Sequence, residues 1–206
     1  MFTRILLIRH ASVDSLGNWI SGRWPGVHLN QTGRAEAAAL AQRLADIKLA
    51  AIYSSPLERT RETAAPLARA QKLEVGTREE FSEIDFGDWT GKRFAELEAI
   101  PLWRQFNIER NAVRIPGGEC ISEVAERMVT GLESIEKAHP NETVAVFSHA
   151  DPIRAVLCRY AGTSLDKMQT FEIDPASIST IEFGPGRARI TAINSRCGVP
   201  AAEAVK

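Results

Sequence analysis

The chain has few cysteines, almost no net charge and no long apolar run. It has 206 residues, three cysteines and a formal net charge of −1 at pH 7. Cys120, Cys158 and Cys197 are widely spaced and form no C-x-x-C pair, which is typical of reduced thiols rather than of a disulfide framework. The balanced charge gives no indication of a nucleic-acid partner, and no apolar stretch is long enough for a signal peptide or a membrane span. We therefore expect a cytoplasmic protein with neither nucleic acid nor membrane as a partner.

Apolar runs of strand length alternate with segments of helical composition along the chain. Such alternation predicts an α/β fold with three α/β/α layers, right-handed crossovers and a mostly parallel central sheet. A hairpin around the G-P-G-R sequence predicts an antiparallel C-terminal part. Thr32 and Ser122 are the expected N-caps of two helices. The predicted strands lie at 4–8, 49–55, within 73–81, and at 142–150, 177–184 and 188–194, and the predicted helices span 34–47, 56–71, 123–140 and 152–162.

We expect residues 1–198 to form one domain, because a chain of this length can bury one good core. Residues 89–120 are predicted to form a small helical insertion or lid, since Pro101 and Pro116 interrupt the regular pattern there. Residues 199–206 are predicted to be a disordered tail. Substrate specificity is expected from the loop before the first helix and from 89–118, segments that contain Trp24, Trp89, Trp103, Phe106 and Arg110.

Polar side chains follow three of the predicted strands. The first strand ends at Arg9 and His10, the second is followed by Arg59 one helical turn later, and a later strand ends at His149. Reactive groups gather beyond the carboxyl ends of strands in parallel sheets, so two imidazoles and two guanidiniums would meet if these strands are neighbours. Burying such cations without an anion is expensive. The pattern therefore predicts a phosphoryl site, since the planar fork of arginine matches phosphate oxygens.

A histidine in this setting can do more than bind. A neutral imidazole can attack phosphorus, and nearby cations both depress a histidine pKa and stabilise charge on the equatorial oxygens. The leaving oxygen needs a proton, so a carboxylic acid should lie close. Glu83, Asp85 and Asp88 are the candidates, and the residues alone do not decide between Glu83 and Asp85.

Five ordered segments together resemble the histidine phosphatase superfamily, also called the phosphoglycerate-mutase-like family, and its phosphatase branch in particular. They are LLIRHA, SSPLERTRETA, SEIDFGDWTG, PGGE and VFSHADPIRAV, and they extend from residue 6 to residue 156. A lone R-H pair has little specificity for any family, whereas the five segments in this order are strong evidence for this one. The resemblance implies a single histidine-phosphatase-like domain that uses no metal and no cofactor. It also implies that His10 is the phosphorylated nucleophile, that Arg9, Arg59 and His149 hold the phosphoryl group, and that Glu83 donates the proton.

The sequence departs from the family pattern after the nucleophile. Ala11 and Ser12 replace the usual glycine and acidic residue, and Leu16 lies near the position of a family asparagine. Asn18, Ser12 or Ser21 are the candidates to replace that asparagine. The predicted substrate-binding residues are Arg9, Asn18, Ser21, Arg59 and His149, with Arg23 at the cavity entrance.

Two other interpretations of these residues remain open. His10, His149 and Asp151 could belong to a metal site, although a catalytic zinc site needs three protein ligands without flanking arginines. Arg59 could merely pair with Glu62 or Glu58 on its own helix, as many surface residues do.

The leading hypothesis is a metal-independent phosphomonoester hydrolase that acts on a small phosphorylated metabolite through a phosphohistidine, as a monomer or a homodimer. A phosphomutase of the phosphoglycerate-mutase type shares the first half-reaction. However, residues 91–121 leave little room for the larger inserted segment typical of family mutases. A third possibility is a module that binds a phosphorylated ligand without turnover, which the filled catalytic positions argue against.

Overall fold

The computed structural model describes residues 2–196, and within that range the chain forms one six-stranded sheet with helices on both faces. The predicted tail at 199–206 lies outside the described residues, as does Cys197. The strands are β1 (Thr3–Arg9), β2 (Ala51–Ser54), β3 (Val75–Thr77), β4 (Thr143–Ser148), β5 (Ile178–Gly184) and β6 (Arg187–Ser195). The helices are α1 (Gln31–Arg43), α2 (Glu58–Gln71), α3 (Phe94–Leu97), α4 (Pro101–Ile108), α5 (Ile121–Ala138) and α6 (Ala150–Ala161).

The sheet has the strand order β3-β2-β4-β1-β5-β6. The first four strands in this order pair in parallel, and β5 and β6 add an antiparallel hairpin. Because successive side chains of a strand point to opposite faces, Leu6 and Ile8 pack with α1 and α2, whereas Ile5 and Leu7 pack with α5 and α6. The predicted three-layer α/β/α fold is therefore confirmed, as is its antiparallel C-terminal part.

The register of the central strands decides which side chains meet at the carboxyl edge. Strand β4 lies between β1 and β2, with Arg9 paired to Ser148 and Ser54 paired to Phe147. The backbone N–H of His10 then donates to the Ser148 carbonyl at 3.0 Å, which extends the pairing one residue beyond β1. Consequently the ends of three strands that are far apart in sequence lie side by side.

The segment 89–120 contains the short helices α3 and α4 and has an aromatic core of its own. Trp89, Trp103 and Phe106 are buried, and the ring of Trp89 lies 5.3 Å from each of the other two rings. Together with Val124 of α5 they form part of one hydrophobic cluster. The segment is thus helical and packed against the domain, and its action as a lid stays a prediction.

The predicted N-caps of two helices were wrong by two residues each. Asn30, not Thr32, caps α1, where its Oδ1 accepts from the N–H of Gly33 at 2.8 Å. Cys120, not Ser122, precedes α5, and its N–H donates to the Glu123 carboxylate at 2.8 Å. In both cases several polar residues stand near the helix start, and the choice depends on which of them has extended backbone torsions.

Two further observations concern the cysteines and the helices. Cys120 and Cys158 are free thiols. In the part of the chain that the structure describes, no helix combines the length and apolarity needed to cross a membrane.

Candidate active site

A cavity of about 280 Å³ opens at the carboxyl edge of the sheet. Arg9, His10 and Glu83 line it, and the predicted residues Arg59 and His149 lie fully buried next to His10. The cavity size suits a small metabolite rather than a macromolecule. The five residues predicted to carry the chemistry therefore come together, from two strand ends, the start of a helix and the loop after β3.

The ring of His10 is fixed in one tautomer by the backbone that follows it. Its Nδ1 lies 2.8 Å from the carbonyl oxygen of Ala11. Because a carbonyl can only accept, Nδ1 carries the proton and Nε2 keeps its lone pair. Burial, followed by the positive charges of Arg59 and Arg9, holds the pKa of His10 well below its ordinary value. His10 is therefore a neutral imidazole with a free Nε2 near neutral pH.

His149 stands next to His10 at the start of α6. The two ring centroids are 5.2 Å apart and the ring planes meet at 61°. The Nε2 of His149 lies 2.9 Å from the hydroxyl oxygen of Ser55, and its Nδ1 lies 3.8 Å from the Glu83 carboxylate. Burial and the charge of Arg59 also hold the pKa of His149 well below its ordinary value. The site thus holds two neutral imidazoles in one buried pocket.

Two arginines surround these rings with N–H groups that are only partly used. Arg59 has no exposed surface, and its Nη2 donates to the Gly22 carbonyl at 2.7 Å. Its Nε and Nη1 have no hydrogen-bond partner among residues 2–196. Arg9 donates through Nη1 to the Ile173 carbonyl at 2.6 Å, while its buried Nε is unpaired within the same range. Buried, unsatisfied guanidinium donors are costly unless an anion binds them.

The backbone of Glu83 is held in place by two further arginines. The Glu83 carbonyl accepts from Arg23 Nε at 2.8 Å and from Arg127 Nη2 at 3.1 Å. The carboxylate of Glu119 joins the two guanidiniums, at 3.0 Å from Arg23 and 2.9 Å from Arg127. Glu119 also accepts from the N–H of Asp85 at 2.9 Å. This arrangement fixes the loop that presents the Glu83 side chain to the cavity.

The Glu83 carboxyl group is suited to carry a proton. Burial, followed by the negative charge of Asp151, raises the pKa of Glu83 to about 7. Its Oε1 accepts from the N–H of Ile84 at 2.9 Å. The competing candidates point elsewhere, since the Asp85 side chain accepts from the N–H of Gly87 and Asp88 is exposed. Of the three carboxylates considered from the sequence, Glu83 is the one that lines the cavity.

The remaining predicted binding residues divide into two groups. Ser21 lines the cavity, and its contact with the substrate stays a prediction. Arg23 instead belongs to the support of the Glu83 backbone described above. Asn18 is exposed and donates to the Asp14 carbonyl at 3.0 Å, and the structure does not bring it into the cavity lining. The loop after His10 forms a turn here, in which the N–H of Asn18 donates to the Ser15 carbonyl at 3.0 Å.

Sequence reasoning missed two residues that shape the site. Arg127 lies on α5, and from the sequence pattern alone we would expect an arginine there to be an ordinary exposed helical residue. Glu119 ends the P-G-G-E segment. That motif could have identified Glu119 as a site residue, although it does not indicate what the residue does. A further acidic residue, Asp151, lies in the cavity wall two residues after His149. No group of three or more His, Cys, Asp or Glu side chains within residues 2–196 has the arrangement of a metal site.

Comparison with known proteins places these observations in a family. The profile of the histidine phosphatase superfamily (branch 1) matches residues 5–196. The chain is 38% identical over 199 residues to phosphoserine phosphatase 1 of Hydrogenobacter thermophilus, covering 94% of this chain and 93% of that protein. The structure of YhfR from Bacillus stearothermophilus superposes with a TM-score of 0.88 at 26% identity, over 94% of this chain and 97% of that one. A mutant of Entamoeba histolytica phosphoserine phosphatase in complex with phosphoserine superposes with a TM-score of 0.85 at 27% identity, over the same shares of the two chains, 94% and 97%.

Proposed function

This chain belongs to branch 1 of the histidine phosphatase superfamily, and on that premise we propose that it is a metal-independent phosphomonoester hydrolase acting through a phosphohistidine. The observation that carries the proposal is the neutral, buried His10 with a free Nε2, flanked by unpaired N–H groups of Arg59 and Arg9. A nucleophile and donors for a tetrahedral anion are the two requirements of phosphoryl transfer.

The first half-reaction transfers the phosphoryl group to the enzyme. Nε2 of His10 attacks phosphorus, and the bond from phosphorus to the ester oxygen breaks. Glu83, protonated because of its raised pKa, gives its proton to the leaving oxygen. Arg9, Arg59 and His149 hold the phosphoryl oxygens while charge builds on them. The alcohol product then leaves the cavity.

The second half-reaction restores the enzyme. A water molecule attacks phosphorus, and the phosphorus–nitrogen bond to His10 breaks. Glu83, now a carboxylate, takes one proton from that water, as microscopic reversibility requires. Inorganic phosphate leaves, with His10 neutral and Glu83 protonated once more. No redox partner or cofactor is needed for this balance.

A small phosphorylated metabolite is the proposed substrate. A cavity of about 280 Å³ holds a compound of metabolite size. The name of the Hydrogenobacter thermophilus relative, phosphoserine phosphatase 1, supports the same class at 38% identity. The phosphomutase alternative needs the alcohol to stay bound for the return of the phosphoryl group. Residues 89–120 contain only two short helices, of four and eight residues. Because a larger inserted segment is typical of the family mutases, this short segment favours release of the alcohol and hydrolysis.

The test is the hydrolysis of p-nitrophenyl phosphate and of a panel of phosphorylated metabolites, with inorganic phosphate measured with and without EDTA. The wild-type protein should release phosphate in both conditions, and His10→Ala should lose turnover while retaining its circular dichroism spectrum. His28→Ala is the matched control, because His28 is an exposed histidine paired with Glu62. Retained turnover in His10→Ala would refute the proposal, as would strict dependence on a metal. Conversion of 3-phosphoglycerate only in the presence of a bisphosphate primer would indicate the mutase.

A further inference from the structure

A second group of polar side chains lines the same cavity, apart from the residues assigned to the phosphoryl group. Its members are Arg110, Asp151, Arg154 and Gln169. They come from the segment after α4, from α6 and from the 3₁₀ turn at Leu165–Thr170. None of them holds the phosphoryl group in the reaction proposed above, although the charge of Asp151 helps to raise the pKa of Glu83. Their position in the cavity wall allows them to contact the part of the substrate that leaves with the ester oxygen.

Arg110 is held rigidly in this wall. Only 7% of the residue is exposed, and its guanidinium carbon lies 4.7 Å from the centre of the Phe106 ring. Its Nη2 donates to the side-chain oxygen of Asn107 at 2.9 Å. The amide of Gln169, with its oxygen towards the guanidinium, accepts at 3.0 and 3.3 Å. A side chain fixed in this way loses little further entropy when it binds a ligand.

The positive charge of Arg110 is only partly compensated. Asp151 makes its short contact with Arg154, at 2.9 Å, whereas its distance to Nη1 of Arg110 is 3.7 Å, beyond hydrogen-bond range. One carboxylate therefore serves two guanidiniums. Nε of Arg110 has no partner anywhere in the described chain. Gln169 and Asn107 contribute neutral oxygens and no charge. The group as a whole is left with a surplus positive charge in a largely buried wall.

We propose that Arg110, oriented by Phe106 and Asn107, binds a carboxylate of the substrate, so that the preferred substrates are phosphomonoesters of small hydroxy acids. The inference rests on the proposed function, because it places the carboxylate on the alcohol that the phosphatase releases. It names a specificity-determining residue outside the phosphoryl pocket.

Charge balance in the cavity supports a second anionic group. A phosphoryl dianion would neutralise the charges of Arg9 and Arg59. The surplus positive charge beside Asp151 would then still lack an anion. A carboxylate would neutralise that surplus positive charge. Its two oxygens also match the planar fork of donors that an arginine presents. The apolar side chains of the wall, among them Trp19 and Trp103, would face the carbon chain between the two anionic ends. An uncharged alcohol group would leave the buried guanidinium without its anion.

The experiment compares substrate pairs that differ in one carboxylate. 3-Phosphoglycerate is paired with glycerol 1-phosphate, and phosphoserine is paired with phosphoethanolamine. The measured quantity is the ratio of kcat/KM within each pair, which cancels effects on the shared chemical steps. Arg110→Gln removes the charge, Asp151→Asn removes the neighbouring carboxylate, and Arg104→Gln on the exposed surface of α4 is the control.

The wild-type ratio should favour the carboxylate member by about 10- to 100-fold, the range expected for a charged hydrogen bond. Arg110→Gln should bring the ratio close to one, and Arg104→Gln should leave it unchanged. Asp151→Asn should raise the ratio, because more of the Arg110 charge becomes available to the ligand. Loss of folding cannot produce opposite changes in the two variants. A flat wild-type ratio, or a ratio unaffected by Arg110→Gln, would overturn the inference.

A binding measurement separates this inference from the proposed function. The affinities of both members of each pair are measured by calorimetry in His10→Ala, which does not turn over. If hydrolysis of p-nitrophenyl phosphate occurs but neither the kinetic nor the binding ratio exceeds one, only the carboxylate site is refuted. If no phosphate is released from any compound, the proposed function fails, and the binding ratio alone then supports or refutes the role of Arg110.

Discussion

The Nδ1 of His149 lies 3.8 Å from the Glu83 carboxylate, while its ring lies 5.2 Å from the ring of His10. Two imidazoles and a carboxyl group thus lie next to one another in the pocket. Their protonation states depend on one another, because each group lies in the field of Arg59. The predictions below test that arrangement.

Glu83→Gln should lower kcat on alkyl phosphates by about 100- to 10,000-fold, the usual contribution of a positioned general acid. The loss on p-nitrophenyl phosphate should be smaller, because p-nitrophenolate leaves without help from an acid. Steady-state kinetics on both substrates measure the difference. Asp88→Asn changes an exposed carboxylate of the same segment and serves as the control. Equal losses on both substrates would argue against an acid role for Glu83.

The pH profile should reflect the raised pKa of Glu83. In the proposed mechanism the acid form of Glu83 is the active one, so kcat/KM on alkyl phosphates should decline as the pH rises through about 7. Glu83→Gln should remove this alkaline limb, because its amide does not titrate. The measurement is kcat/KM across a pH series at constant ionic strength. An alkaline limb that persists in Glu83→Gln would assign the titration to another group.

The two buried histidines should make the fold sensitive to acid. Both pKa values are lowered in the folded state, so the unfolded chain binds protons first as the pH falls below about 6.5. The free energy of unfolding should therefore decrease with falling pH, by up to about 1.4 kcal/mol per pH unit for each histidine. Urea denaturation across that range gives the slope. His149→Gln should reduce the slope, whereas a slope unchanged by this variant would contradict a neutral buried His149.

Arg127 should act through the loop that carries Glu83. It donates to the carbonyls of Glu80, Ser82 and Glu83 and pairs with Glu119. Arg127→Ala should destabilise the fold by about 3 kcal/mol, since it removes the side-chain donor to the carbonyls of Glu80 and Ser82 and one of the two guanidiniums that pair with Glu119. It should also displace the alkaline limb that Glu83 produces, which a purely structural role would not do.

The control for Arg127→Ala is a surface ion pair between α5 and the segment that precedes it. Arg114 pairs with Glu123, and both side chains are about half exposed, at 58% and 44%. Such pairs contribute about 0–1 kcal/mol. Arg114→Ala should therefore leave both the stability and the pH profile close to those of the wild type. Similar effects of the two variants would show that the contacts of Arg127 have no special role.

The corrected N-cap of α1 can be tested by two neighbouring alanine substitutions. Asn30→Ala removes the side-chain oxygen that accepts from the Gly33 N–H and should cost about 1 kcal/mol of stability. Thr32→Ala lies within the first turn and should have little effect or a slightly favourable one. Thermal unfolding of both variants gives the comparison. A larger loss for Thr32→Ala would favour the cap expected from sequence.

Much of the fold follows from local pattern. The alternation of strands and helices and the C-terminal hairpin could be predicted, because each depends on composition and spacing within a short segment. The N-caps could not, since Asn30 and Thr32 are both good capping residues and the backbone torsions decide between them. His10, Arg59 and His149 meet because β4 lies between β1 and β2, an order that the alternation of strands and helices does not specify.

The supporting residues of the site could not be predicted in the same way. Arg23 has the composition of a phosphate ligand, yet its guanidinium is used by the Glu83 carbonyl and by Glu119. The role of Arg127 depends on the contact between α5 and the loop after β3. Local sequence patterns do not predict that contact. Arg110 and Asp151 come from distant segments, and only the folded chain places them in one cavity wall.

The most direct test is the chemical state of His10 during turnover. The protein is mixed with p-nitrophenyl phosphate, quenched within milliseconds under alkaline conditions that preserve phosphohistidine, and mapped by mass spectrometry. A burst of nitrophenolate with one acid-labile phosphoryl group on His10, decaying as inorganic phosphate forms, is the predicted result. Steady turnover with no phosphoryl group on His10 at any time, or with one on another residue, would contradict the account.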